Sequence, residues 1–404
     1  MENYFKISRQ RLLNSGLWVF LIFAIPLNFL YNYLYVQYGF NLGIKYPFLL
    51  HGLLFFVFLF FIFNINYFNF NKKYFYLFIF FALYVAFVSL LNFTYFDYAL
   101  DSRVFFESLF FLLYFLAFSI SGRLVYEKNK SFILLFFIFF LLVLLNFDGM
   151  NLIAFSLDTD AGDSEGHINY QLVSLFFMLT WFFFFFSVEN LIVKICSTIV
   201  LLFLLLTSGG RSELVGFVVS LSFLIFNFFF SKGRLLNKLF FISIISISLI
   251  LLFYRYYEFI DNLFMNSRHA QILDFSNSSS WEAREYIYRQ NINYIYNNPF
   301  FGAYGSHFRS GEGHYIHNML SAWQQYGLIG FLAYFLLLFI PFFHSLLIFY
   351  KEKHDENIYP LIFISTFCLF LCLVTKPVFW PYAGLSVGVY FAYMQKRNIN
   401  NKGY

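Results

Sequence analysis

Apolar runs of roughly 17 to 25 residues recur along this chain with short polar breaks, and each is long enough to cross about 30 Å of hydrocarbon. Twelve such runs can be drawn, at about 15–36, 46–65, 74–93, 104–121, 131–147, 168–188, 191–207, 212–230, 237–254, 328–350, 358–375 and 378–394. Composition leaves little choice about what surrounds them. With 61% hydrophobic residues, 12% charged ones and a mean hydropathy of +0.69, a 404-residue chain cannot hide its apolar surface from water, so lipid must solvate it. The 68 phenylalanines and 32 tyrosines carry no chemistry by themselves and read as compositional bias.

The expected fold is therefore an all-α polytopic membrane protein with about twelve transmembrane helices. Residues 1–254 would hold nine spans, 255–327 one large polar loop, and 328–404 the last three spans and a short tail. Lys6, Arg9 and Arg11 precede the first run as in a signal peptide, but its length and the lack of a small-residue cleavage site favour an uncleaved anchor.

Lys and Arg are retained on the cytoplasmic side of short loops. An inside N-terminus puts 17 of the 26 basic residues inside and, with an even span count, returns the C-terminus beside Lys396-Arg397 to the same side. The acidic stretch from Asp148 to Glu165 and the 255–327 loop then lie outside. The two basic residue types also divide: seven arginines and two lysines outside, five arginines and twelve lysines inside. Guanidinium is a planar fork that binds phosphate oxygens bidentately and gives up water more readily than an ammonium does. An arginine-rich outer face thus suggests an anionic, phosphorylated ligand; pairing with outer carboxylates explains any single arginine equally well.

The outer loop gathers Arg268, Arg284, Arg289 and Arg309 with His269, His307, His314 and His317, in a chain otherwise poor in charge. Three constellations stand out in and before it. Thr207-Ser208-Gly209-Gly210-Arg211-Ser212 is a tight turn between spans. Its glycines, Gly210 among them, let backbone approach a ligand, and amides opening the next helix could face an anion; the plain alternative is a hairpin with a snorkelling arginine.

Ser279 followed by Glu282 is a capping-box signature, predicting a helix from there to about Asn297, stopped by Pro299 and Gly302. Trp281, Arg284, Tyr288 and Ile292 share one face of it. Glu285 and Arg289 are i,i+4 partners, an ordinary surface pair, whereas Arg284 has no carboxylate at i±3 or i±4. His317-Asn318, the third constellation, precedes Trp323, Gly327-Leu328-Ile329-Gly330 and a span. A histidine there can accept a proton from a hydroxyl, with Asn318 orienting it or binding a sugar; a histidine satisfied by a backbone carbonyl is the plain alternative.

Cys196, Cys368 and Cys372 all fall within spans and read as small core residues, since Cys368 and Cys372 at i,i+4 would not bridge comfortably. Asp158-Thr159-Asp160 looks like the acidic pair that holds a divalent cation in some glycosyltransferases. Such a Gly-containing acidic loop is more often simply solvated; no metal ligand and no cofactor is assigned.

Ser208-Gly209-Gly210-Arg211, then Arg284 with Tyr288, then Asn298-Pro299-Phe300-Phe301-Gly302-Ala303-Tyr304-Gly305, then His317-Asn318 and Gly327-Leu328-Ile329-Gly330 resemble the O-antigen ligase and O-antigen polymerase superfamily of bacterial inner-membrane proteins. The likeness covers mainly residues 200–340. Departures are Ala303 and Tyr288, the latter where a tryptophan is common. The resemblance implies a metal-independent, membrane-embedded glycosyltransferase of the GT-C type. Its donor would be a glycan on undecaprenyl pyrophosphate, with Arg211 and Arg284 on the pyrophosphate and His317 as base. Arg268, Arg289, Asn318, Tyr288 and Gly210 are candidate substrate contacts. The implied partners are the lipid bilayer, a chain-length regulator and a flippase, with no nucleic acid.

Chemistry agrees with such an assignment: pyrophosphate leaves as a stable anion, so no general acid is needed, and arginines on the departing charge stabilise the transition state. One base suffices, with Glu282, Glu285 and Glu312 as rivals. A single displacement inverts the anomeric carbon. The expected function is a polysaccharide polymerase (O-antigen, capsule or exopolysaccharide), with ligation to lipid A core or to a protein as the runner-up. A transporter or flippase should show polar residues and broken helices near mid-membrane and repeat symmetry; here intramembrane charge is nearly absent apart from Glu107, which disfavours transport.

Overall fold

The computed structural model describes residues 13–39, 46–63, 72–95, 102–127, 147–148, 151–152, 170–230, 279–310, 314–351 and 355–402. They are helical but for turns and one two-residue antiparallel pairing, β1 (Phe147–Asp148) with β2 (Asn151–Leu152). The helices are α1 (Leu13–Tyr31), α2 (Tyr46–Phe63), α3 (Lys72–Tyr95), α4 (Ser102–Ser121), α5 (Tyr170–Ser187), α6 (Leu191–Ser208), α7 (Arg211–Phe230), α8 (Ser279–Asn297), α9 (Leu320–Lys351), α10 (Tyr359–Val374) and α11 (Gly384–Lys402). Among the described residues, six helices are long and apolar enough to cross a membrane, and shorter apolar helices lie at Leu49–Phe58 and Gln171–Ser187.

The expected run at 237–254 lies outside the described residues, as does that at 131–147 but for its last residue, Phe147, which is in β1. Two expectations shift. The run drawn at 328–350 starts earlier, at Leu320, and bends where Gly327 leaves helical geometry. The one drawn at 378–394 becomes a helix only at Gly384, after the 3-10 turn Pro381–Ala383, and continues through the polar tail to Lys402. Proline lacks the amide that a helix interior requires, so Pro377 and Pro381 delay the start.

Local rules account for the other ends. Asn190 accepts hydrogen bonds from the amides of Ile192 and Val193 and so caps α6, which makes Glu189-Asn190 a true break between two apolar helices. Pro26 sits in a π-helical turn at Phe23–Leu27 that absorbs its missing amide. The capping-box helix runs from Ser279 to Asn297 as expected.

The core lies around α10, 72% of whose apolar window is buried against 33% for α3 and α6, so α10 is central while α3 and α6 offer side chains such as Phe80, Phe87, Ile192 and Ile199 to lipid. Helices in lipid gain little from apolar burial against each other and rely on close packing. Gly384 and Gly388, one turn apart on α11, meet the backbone of α4 at the Phe115 and Ser119 carbonyls, where any Cβ would collide. Cys368 and Cys372 are buried as expected; Cys196 is exposed, on the outer face of α6, because lipid rather than protein surrounds that face.

Candidate active site

One end of the bundle collects the start of α5, the α6–α7 turn, the loop entering α9 and the segment leaving α10. Gly209 ends α6 in a left-handed conformation (φ 73°), which only glycine adopts freely. At Gly210 a Cβ would collide with Ser174 of α5, whose hydroxyl lies 2.6 Å from that of Ser208. The Gly-Gly pair thus lets the turn press against α5. Arg211, half-buried, opens α7; the helix N-terminus is already positive, so a guanidinium there creates a local field suited to an anion.

Glu213, in the first turn of α7, is fully buried and forms a salt bridge with Lys376 at 2.5 Å. Lys376, 8% exposed, also donates to Gln171 Oε1 at 3.0 Å. Three helices, α5, α7 and α10, are tied together here. Sequence reasoning finds neither partner: Lys376 counts there only as one of the two lysines expected outside, and its placement opposite a carboxylate 163 positions earlier has no local signature.

The next layer is set by two glycines. Gly327 (φ 70°, ψ −173°) and Gly302 (φ 76°) lie back to back; a Cβ on Gly302 would come within 2.5 Å of the Gly327 amide nitrogen, and one on Gly327 would strike the Phe300 carbonyl. The Pro299 carbonyl accepts from Leu328 N at 2.9 Å and from Trp323 Nε1 at 2.8 Å, while Ala303 N donates to the Gln324 carbonyl at 2.7 Å. The Asn298–Gly305 and Gly327–Gly330 motifs are therefore two halves of one contact.

Gln324 secures the histidine loop. Its Oε1 accepts from Ile316 N at 3.2 Å, and its Nε2 donates to Asn291 Oδ1 at 2.7 Å and Ser306 Oγ at 3.0 Å. Asn291 of α8 donates to the His314 carbonyl at 2.9 Å. Asn318 Oδ1 accepts from Leu320 N at 2.9 Å, capping α9, so its amide nitrogen is the part left for a ligand. Ser321 donates to the Asn318 carbonyl and accepts from Val378 N, each at 2.7 Å, which joins the histidine loop to the segment carrying Lys376.

His317 stands in this frame with its ring 5.4 Å from Tyr315. Burial, then the positive charges of Arg284 and Lys376 and the neighbouring His314, lower its pKa to about 4. It is neutral at neutral pH and can accept a proton. Arg284, partly buried on α8, makes no ion pair or hydrogen bond among the described residues. Arg289 is bound to Glu285 at 2.6 Å and is 76% exposed, and Tyr288 is exposed on the same helix. Arg268, His269, Glu312 and Asp158/Asp160 lie outside the described residues, as does the Arg309 side chain.

The structure thus puts Arg284 and Lys376 each within electrostatic reach of His317, and ties Lys376 to the helix that Arg211 opens. Residues 196–335 match the family model for O-antigen ligase. The matched region begins in α6 and ends in α9, taking in the Gly-Gly-Arg turn, α8, the two packed motifs and His317. Lys376 and Gln171, which contact each other beside Glu213, lie outside it. A comparison with curated proteins gives no match.

Proposed function

We propose that this protein is a polysaccharide polymerase that moves a glycan from undecaprenyl pyrophosphate to a sugar hydroxyl of another lipid-linked repeat unit. The observation that carries it is a neutral, partly buried imidazole at His317 with Arg284 and Lys376 close enough to depress its pKa. A base and two cations at the end of an apolar bundle suit an anionic leaving group attached to lipid.

In the step itself, the acceptor oxygen attacks the anomeric carbon, the bond from that carbon to the phosphate oxygen breaks, and the acceptor proton passes to His317. Undecaprenyl pyrophosphate leaves with the electron pair, and configuration inverts. Arg211 and Arg284 hold the departing charge, which strengthens as the bond breaks. Bound diphosphate also offsets the cations that depress His317, so the donor raises the basicity of the residue that needs it. No metal is required for this sequence.

The same reading places the protein in the bacterial inner membrane as a GT-C-type enzyme of about twelve spans, with cytoplasmic termini, a periplasmic site, and a flippase and chain-length regulator as partners. Transfer of a finished glycan to lipid A core or to a protein is the second reading, favoured by the ligase description of the matched family. The purified protein, given lipid-linked repeat units and no lipid A core, separates them. Polymerisation yields longer lipid-linked chains, lost in His317→Ala; a ligase yields none.

A further inference from the structure

One carboxylate at this end of the bundle takes no part in the steps above. Glu107 lies early in α4 on the face that carries Val104, Ser108 and Phe111, all buried. Phe111 packs edge-on against Phe379 at 6.1 Å, and Phe379 in turn lies 5.8 Å from Tyr315 and 5.6 Å from His307. The Glu107 side chain is 30% exposed, and His307, fully buried, places Nε2 3.1 Å from Glu107 Oε2.

The hydrogen-bond pattern fixes the imidazole tautomer. Gln325 Oε1 accepts from Gly305 N at 2.8 Å, so its Nε2 is the end facing His307 Nδ1 at 3.0 Å. An amide NH2 only donates, so Nδ1 must accept, and the ring proton of the neutral imidazole sits on Nε2, pointing at Glu107. Two buried side chains thus orient one accessible carboxylate, and Glu107 Oε1 has no partner among the described residues. Tyr315 links this group to the base, its ring 5.5 Å from His307 and 5.4 Å from His317.

We propose that Glu107, with the rings of Tyr315 and Phe379, forms a saccharide subsite that binds the acceptor through its hydroxyls and holds one of them toward His317. This rests on the reading of His317 as the base of glycosyl transfer. A sugar offers hydroxyl donors to a carboxylate and an apolar C–H face to aromatic rings, the combination displayed here. A divalent cation would need several oxygen or nitrogen ligands, and no group of three such side chains gathers among the described residues. His307 and Gln325 are positioning residues; the tautomer they enforce aims the carboxylate.

The discriminating variant is Glu107→Gln, whose side-chain oxygen still accepts from His307 Nε2 and so keeps α4 pinned to the loop, with Glu107→Leu as the stronger lesion. The probe is the repeat-unit oligosaccharide freed from its lipid, titrated into the full-length protein in detergent by calorimetry. Steady-state transfer is measured alongside, with donor and acceptor concentrations varied independently. Losing a charge-assisted hydrogen bond should weaken oligosaccharide binding and raise the acceptor KM about tenfold in Glu107→Gln, and more in Glu107→Leu. The donor KM should stay within about twofold. Unchanged binding, absence of binding by the unaltered protein, or a loss confined to kcat or shared equally by the donor KM overturns the subsite. Binding that depends on Glu107 in a protein that transfers no glycan supports the subsite and sinks the transfer reading instead.

Discussion

Removing Lys376 tests whether the buried ion pair organises the site. Lys376 and Glu213 stand 2.5 Å apart with side chains 8% and 0% exposed. At an effective dielectric constant of about 20, their gross attraction at that separation is about 7 kcal/mol. Stripping water from both ions offsets most of it, so the pair as a whole adds little net stability. Truncating one partner is different, because the other is left charged, buried and unpaired. Lys376→Met should therefore cost about 3–5 kcal/mol, and Glu213→Met a similar amount.

The double variant replaces the pair with two apolar side chains and should regain most of that, giving a coupling of at least about 3 kcal/mol in a double-mutant cycle. Unfolding in mixed micelles, followed through tryptophan fluorescence, reads these differences. Transfer activity measured on the same variants adds the second half. If Lys376 also faces the donor diphosphate, the double variant recovers stability but remains slow. Single-variant losses under about 1 kcal/mol that add in the double variant would refute the argument that this pair ties α5, α7 and α10 together.

Further outcomes follow from the same geometry. His317 is held near pKa 4 in the free protein, so the acid limb of kcat/KM should lie near pH 4; Arg284→Gln removes one depressing charge and should move that limb upward toward the ordinary histidine value of about 6.5, while no movement argues against the pair sharing a site. The sign for stability is the same: an imidazole depressed in the folded state lets the unfolded chain bind more protons, so the contribution from His317 is complete above about pH 6.5 and is lost as pH falls toward 4. Gly327→Ala forces a Cβ into a glycine-only backbone conformation, against the Phe300 carbonyl, and should cost about 2–6 kcal/mol once the two bonds to Pro299 are counted, read as a lowered unfolding midpoint. Arg289→Ala breaks only an exposed i,i+4 pair and should leave transfer within about twofold and stability within about 0.5 kcal/mol; a large loss of transfer would make Arg289 a substrate contact after all.

How much of this was legible beforehand depends on how local each signal is. The Ser279–Glu282 capping box, the Asn190 break and the Glu285–Arg289 pair are written within one or two helical turns, and the helices they mark stand where the sequence puts them. Motif order likewise announced that Gly302 and Gly327 matter, though not that they face each other. The start of the last helix was misjudged because hydropathy outweighed Pro377 and Pro381 in drawing it.

Sequence alone determined that lipid is the solvent and where the one long polar stretch falls, because apolar length and charge are properties of each segment by itself. Tertiary structure alone decided which charges meet. Lys376 finds Glu213, and His307 finds Glu107 across 200 positions, because helices that traverse the bundle in alternate directions return distant residues to the same end. A buried charge must be paired where the packing places it, and no periodicity along the chain records that pairing.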